Sequence, residues 1–475
     1  MKKFTAIALL SVLLVGGCNL GPKYKRPTVQ PPVTFYTDQQ ATTTSEADLA
    51  WWEIFKDPVL QSLVKEGFEK NYDLRLAVAR VEQEQALLGV THSQYYPQVG
   101  YDGNISGQQS PIMPNHTYYA YSFTSFWEID LFGRIRKLNE QQRAIYFASE
   151  EARRDVRLLI MAQVAQGYFQ LRALDAQLEV ARRNVISFRE TLKIFEDKLK
   201  GGAASGLEVA RAQASLSNVA ATIPDLERQI VAQENALNLL LGRNPGPIAR
   251  GTNLADQFDP PQIPAGLPAT LLERRPDLRA AEQKLIAANA NVGVAKANFF
   301  PTISLTALFG GVSPQLSELT LSGKMWTVAG DLTGPIFTAG RLKNEYRAAF
   351  AQRDQAQISF EKLVTQAFGE VSTALSAHEK LANAYREQMT CADAYRESVR
   401  LSTIRYDSGL SSYLEVVDAQ IQLYPAETTE ITYDLERKLA FVDLYRALGG
   451  GWNLSDADWK SMTIAPATST TKRPH

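Results

Sequence analysis

Residues 406–420 read Tyr406-Asp407-Ser408-Gly409-Leu410-Ser411-Ser412-Tyr413-Leu414-Glu415-Val416-Val417-Asp418-Ala419-Gln420, and part of that stretch recurs upstream. Leu207-Glu208-Val209 with Ala212-Gln213 stands 207 residues before Leu414-Glu415-Val416 with Ala419-Gln420. Farther upstream, Asp73-Leu74-Arg75 returns as Asp277-Leu278-Arg279, Tyr95-Tyr96-Pro97 as Phe299-Phe300-Pro301, and Gly133-Arg134 as Gly340-Arg341. Asp225-Leu226-Glu227-Arg228 returns as Asp434-Leu435-Glu436-Arg437, and the separation drifts only from 204 to 209 residues. So long a period excludes a solenoid of roughly 20–50-residue repeats and implies two tandem copies of a whole structural unit.

Each copy, 58–242 and 277–449, changes its pattern in the same order. A helical stretch comes first, 73 to about 94 and 277 to about 298, stopped by Pro97 and Pro301. Two segments of period two follow, expected as strands at about 97–109 and 117–132, and in the second copy at about 301–312 and 324–338. Val99, Tyr101 and Ile105, then Tyr119, Tyr121, Phe123, Trp127 and Ile129, alternate with small and polar residues. Ile303, Leu305 and Phe309, then Trp326, Val328 and Leu332, repeat the alternation more weakly. An ordinary hairpin on a soluble core would alternate too. Aromatic residues on the apolar face, and lengths that reach the roughly 9–11 residues of a tilted spanning strand, favour the membrane.

After Gly133-Arg134 the period becomes helical. Val164, Leu171, Leu178, Val185, Leu192 and Leu199 recur every seven residues, with Gly167, Leu174, Ala181, Phe188 and Phe195 between them, which is a coiled-coil seam. A helix from 137 to 199 would be about 95 Å long. Gly201 to Gly206 reverses the chain into a second helix, so that a hairpin spans about 137–242. The second copy repeats it over about 342–448, with a turn at Asp407-Ser408-Gly409 and a looser seam that admits His378 and Gln388.

The flanks carry the address. Met1-Lys2-Lys3 and the apolar run Ala6 to Val15 form a signal peptide over 1–17, too short to span a bilayer. Val15-Gly16-Gly17-Cys18 resembles a lipobox, in which Cys18 would take the acyl chains; Asn19 implies sorting to the outer membrane. Residues 18–57 look like an extended arm, 243–276 a proline-rich linker and 450–475 a tail. Cys391, the one other cysteine, is expected as a small buried hydrophobe.

The chain's 475 residues and 45% apolar content allow a large core, and a net charge of -1 gives no field to attract nucleic acid. The sequence has no P-loop lysine, no His-Glu-x-x-His and no Cys/His cluster, and its four histidines are scattered. No enzyme, metal or cofactor is therefore expected. Four amphipathic strands cannot close a barrel alone, because every edge must be paired in hydrocarbon. Three chains would supply twelve strands, continued by helical hairpins as a conduit.

The duplicated layout, the Asp130-Leu131-Phe132-Gly133-Arg134 junction and the 406–420 stretch resemble the TolC-type outer-membrane efflux channels, and the lipobox their OprM-like, NodT-type lipoprotein branch. The resemblance covers nearly the whole mature chain. It implies an α+β membrane protein: a homotrimer with a 12-stranded transmembrane β-barrel, four strands per chain, and a coiled-coil periplasmic tunnel. It also implies a periplasmic adaptor protein and an inner-membrane pump, often of the RND class. Exit of secreted polypeptides by a type I system, or a lipid-anchored coiled-coil scaffold, are the alternatives. In that family the second hairpin forms the periplasmic gate, matched here by Tyr406, Glu415 and Asp418. Ser411 stands where an arginine lock can sit, and Arg211 occupies the first-copy position of Asp418, as a partner for it or for a neighbouring subunit. The turns Gly202 to Leu207 and Gly409-Leu410 to Ser412 would meet the adaptor. Solvated acids at a helix start, and glycines that simply end helices, are the plainer readings of the same residues.

Overall fold

Two runs of the same five elements follow one another in the chain. After a one-turn helix at Trp51–Ile54 and α1 (Pro58–Lys70), the first run is α2 (Tyr72–Ser93), β1 (Gln98–Gln108), β2 (His116–Ile129), α3 (Arg134–Lys200) and α4 (Gly206–Leu240). The second is α5 (Pro276–Ala297), β3 (Thr302–Ser313), β4 (Lys324–Thr333), α6 (Arg341–Asp407) and α7 (Tyr413–Ala447). Equivalent helices agree in length, with 22 residues in α2 and α5, 67 in α3 and α6, and 35 in α4 and α7. The computed structural model describes residues 20–29, 50–108, 116–260, 271–321 and 323–451. Cys18 and the expected signal peptide and tail lie outside the described residues, apart from 450–451.

The chain divides into two units. One, made of Val78–Ala152 and Asp277–Leu363 with the arm up to Val29, holds an antiparallel sheet of order β1-β2-β3-β4. Its register sets Tyr101 opposite Phe123, Phe123 opposite Phe309, and Phe309 opposite Trp326. Directly opposed residues share a face, so these four make one aromatic row, and they are 86%, 53%, 52% and 75% exposed. The opposite face carries Asp102, Asn104, Ser122, Thr124, Ser304, Thr306, Thr327 and Asp331. A sheet with its aromatic face outward and both edge strands unpaired is unfinished as a single chain in water.

Two strands end earlier than their alternation suggests. β2 stops at Ile129 rather than 132 because Asp130 caps the next helix, accepting from the backbone N–H of Ile135 (3.1 Å) and of Arg136 (2.9 Å). β4 stops at Thr333 rather than 338, since Pro335 has no N–H for a ladder and Gly334 packs its backbone on Pro301. In the same unit the arm lies along α5. Tyr24 donates to Glu282 (2.9 Å), Arg26 pairs with Glu282 (2.7 Å), Asn289 donates to the Pro22 carbonyl (2.9 Å), and Gly21 sits against Gly293.

The other unit, Gln30–Ala77, Arg153–Pro276 and Val364 onward, holds the main hydrophobic core. Phe55, Phe169, Phe258 and Phe441 meet edge to face or tilted, with ring centroids 5.0 to 6.1 Å apart. The stretch 18–57 is thus not an arm throughout: Trp51 and Phe55 are buried core, because three large aromatics in five residues have too much apolar surface to leave in water. Residues 243–260 also pack, with Ile248 and Leu254 buried. Asp57, 4% exposed, ties these pieces together. It accepts from the N–H groups of Val59 (2.8 Å) and Thr252 (3.0 Å), the Tyr168 hydroxyl (2.8 Å) and Gln257 (2.8 Å). Burial works against its ionisation, but those hydrogen bonds outweigh it and hold the carboxyl below the usual range.

The first-copy seam packs as its spacing requires, with Ala181, Val185 and Phe188 of α3 against Val219 and Leu226 of α4. Cys391 is a correction. It is exposed on α6, whose looser seam does not turn that position inward. Among the described residues no helix is long and apolar enough to cross a membrane, and no group of His, Cys, Asp and Glu could hold a metal ion.

Candidate functional site

The site is built where the two hairpins reverse, within the second unit. Both turns use the same device. Gly202 (φ +73) and Gly409 (φ +71) adopt the left-handed conformation open to glycine, and each closes its helix with paired backbone bonds. Ala203 donates to the Lys198 carbonyl (2.8 Å) and Gly202 to Leu199 (3.0 Å); Leu410 donates to Arg405 (2.8 Å) and Gly409 to Tyr406 (2.9 Å). α4 then starts on Ser205, whose backbone N–H (2.7 Å) and hydroxyl (3.1 Å) both donate to Glu208. The Ser205 N–H, then its hydroxyl, hold the Glu208 carboxyl below its usual range.

The second-copy hairpin is tied to α3 by aromatic residues. The Tyr413 ring meets Tyr406 (4.8 Å) and Phe195 (5.6 Å) edge to face. Its hydroxyl lies 3.1 Å from that of Thr191, which is fully buried. The Lys198 ammonium stands over Tyr406 at 4.7 Å and over Tyr413 at 5.9 Å. Beneath them Phe195, Ala212 and Val417 form a small buried cluster that joins α3, α4 and α7. Thr191, Phe195 and Lys198 fall on one face of α3 at i, i+4 and i+7, so one helix presents a hydroxyl, a ring and a cation to one tyrosine pair.

Of the residues singled out in the sequence, Tyr406 is half-buried inside this cluster, whereas Glu415 and Asp418 are exposed on the first turns of α7. Glu415 meets Arg405 at 3.5 Å, both about half exposed. Arg211 is exposed on α4, and among the described residues no ion pair joins it to Asp418 within one chain. Leu207 (62%) and Leu410 (71%) project at the two turns. Sequence reasoning missed Tyr413, Lys198, Thr191 and Arg405 as members of the site. The i, i+4, i+7 set on α3 was visible, but nothing local says that it faces the second copy.

This geometry brings together two tyrosine rings, a lysine ammonium, a buried threonine hydroxyl and exposed carboxylates. It can hold a helical hairpin in place and present carboxylates to water. Comparison with known proteins gives the family. The family model described as "Outer membrane efflux protein" matches residues 63–243 and 267–450, one stretch for each copy. The solvent efflux pump outer membrane protein SrpC of Pseudomonas putida is 35% identical over 472 residues, covering 95% of this chain and 99% of its own. SilC of Salmonella typhimurium, a probable outer membrane lipoprotein, is 32% identical over 464 residues, covering 95% of this chain and all (100%) of its own. The open state of the Neisseria gonorrhoeae MtrE outer membrane channel superposes with a TM-score of 0.85 at 33% identity, over 92% of this chain and 99% of that one.

Proposed function

The chain belongs to the outer membrane efflux protein family, and from that membership we propose that its second helical hairpin is the gate of an efflux duct. The protein is the outer-membrane channel component of an efflux system, a homotrimer and not an enzyme. It works with a periplasmic adaptor and an inner-membrane pump. The pump is of the RND class on the family resemblance. Closure of the barrel follows from the sheet: four strands leave β1 and β4 open, and because four is even, β4 of one chain meets β1 of the next antiparallel. Three chains then give a twelve-stranded barrel with the aromatic row toward lipid and the polar face toward the lumen.

The gate reading rests on one observation, that the two copies differ at the hairpin end. Tyr406 and Tyr413 stand where the first copy has Leu199 and Gly206, and Asp418 where it has Arg211. Only the second hairpin has both a device that fastens it and acids that threefold symmetry would bring together. Like charges in a narrow ring repel while attracting cations, so opening relieves repulsion. Leu207 and Leu410, exposed beside Gly202 and Gly409, are the surface offered to the adaptor tips. Acylation at Cys18 is supported by the lipobox and by the lipoprotein SilC. It is supported also by the arm's course, which runs opposite to α5 and so leads residue 20 toward the end of that helix from which β3 starts.

Conductance of the purified trimer in planar bilayers tests this. A low conductance that falls further in Asp418→Ala or Glu415→Ala is expected, because each substitution removes repulsion that opening relieves and a carboxylate that attracts cations. Failure to form any pore would overturn the barrel, and unchanged conductance in both variants would overturn the gate.

A further inference from the structure

Helix α7 contains Pro425 in its interior. Proline supplies no N–H, so the Ile421 carbonyl loses its helical partner and the ring crowds it, the usual cause of a bend. Immediately beyond the proline, α7 is pinned on two sides. Gln388 of α6 donates to the Ala426 carbonyl (3.0 Å). Glu427, 5% exposed, receives Arg183 of α3 (2.6 Å) and Arg396 of α6 (3.1 Å), and Arg396 also holds Glu430 (2.7 Å). On the other side of the proline the helix carries Glu415 and Asp418 and ends at the Tyr413 cluster.

We propose that α7 is a lever: Pro425 is its hinge, the Glu427 cluster its fixed point, and Tyr413 the latch that holds the segment from Tyr413 to Tyr424. This rests on the gate reading and adds how the gate moves. The Tyr413 end lies 12 residues from Pro425, about 18 Å along the helix. A bend of about 10° there carries the Tyr413 end roughly 3 Å and Asp418 roughly 2 Å, while residues past 427 stay in place. Tyr424 just inside the hinge keeps its hydroxyl 3.1 Å from that of Thr222 on α4, close enough to the pivot to move little. The first-copy hairpin is built differently. Its proline, Pro224, stands 18 residues from the start of α4 at Gly206, and no tyrosine pair fastens its end.

The test uses the full-length trimer with Cys391→Ser, spin-labelled at Leu414→Cys on the lever or Thr429→Cys beyond the hinge. Tyr413→Phe is expected to lengthen the distance between chains at 414 by a few ångströms, to leave that at 429 unchanged, and to raise conductance. Adding Pro425→Ala, which restores the missing donor at an exposed position, is expected to reduce both the 414 shift and the conductance gain at least twofold. Equal shifts at 414 and 429, or a conductance gain indifferent to Pro425→Ala, would overturn the hinge and leave the gate standing. Unaltered conductance in Tyr413→Phe, Glu415→Ala and Asp418→Ala alike would overturn the gate, and the lever with it.

Discussion

Removing Tyr413 should open the channel more than removing any charge around it. Its hydroxyl pairs with the buried Thr191 hydroxyl at 3.1 Å, a hydrogen bond worth about 1 kcal/mol net. The edge contacts with Tyr406 and Phe195 contribute about 0.5–1.5 kcal/mol each, and the Lys198 ammonium about 0.5–1 kcal/mol. Tyr413→Phe therefore weakens the fastened state by about 1 kcal/mol per chain, roughly a fivefold shift, because Thr191 keeps a second partner in Gln420 (3.3 Å). Tyr413→Ala weakens it by about 3 kcal/mol, roughly a hundredfold shift. The Arg405–Glu415 pair is half exposed at 3.5 Å, and solvent screening leaves it below about 1 kcal/mol. Single-channel recording should rank open probability as Tyr413→Ala, then Tyr413→Phe, then Arg405→Ala close to the parent. A Tyr413→Ala channel as closed as the parent, beside an open Arg405→Ala, would refute the assignment of the fastening to packing rather than to charge.

Asp57→Ala leaves the buried Tyr168 hydroxyl without its acceptor and removes the α1 cap, a loss of about 3 kcal/mol; thermal melts of the detergent-solubilised trimer should show it, and a parent-like melt would contradict the hub. The Asp57 carboxyl has a lowered pKa in the fold, so its contribution is fully present above the unfolded value near pH 3.9 and is lost only as pH falls through the folded value. Melting temperatures of the parent and Asp57→Asn should therefore converge at acid pH below about 4 and separate above it. On the sheet, Phe309→Lys places a charge in the aromatic row and should cost about 2 kcal/mol or more in membrane assembly. Thr327→Lys, on the polar face, should assemble normally; equal loss of heat-modifiable trimer in both would contradict the assignment of faces.

Much of the fold was legible because its signals are periodic and local. Alternation over β1 and β2 states which side chains share a face without any knowledge of the partner strand, and the heptads of α3 state that it packs along one seam. The duplication carried the rest, since an element seen weakly in β3 and β4 is secured by its stronger copy. What escaped was decided at a distance. Asp130 could extend a strand or cap a helix, and the choice depends on where the Ile135 and Arg136 amides come to lie. Cys391 looked buried because its neighbours are helical, but burial depends on which face of α6 meets another helix.

The candidate site divides in the same way. Two copies, their turns, an acid at 418 against an arginine at 211, and tyrosines at 406 and 413 with no counterpart at 199 and 206 are all readable by aligning one half of the chain with the other, which needs no coordinates. Helix packing is what fastens Tyr413 to Thr191 and Lys198, keeps Arg211 from Asp418 within the chain, and sets Glu427 between arginines from two other helices. Those contacts join residues up to 244 positions apart. Their geometry follows from how α3, α6 and α7 pack, which no local spacing encodes.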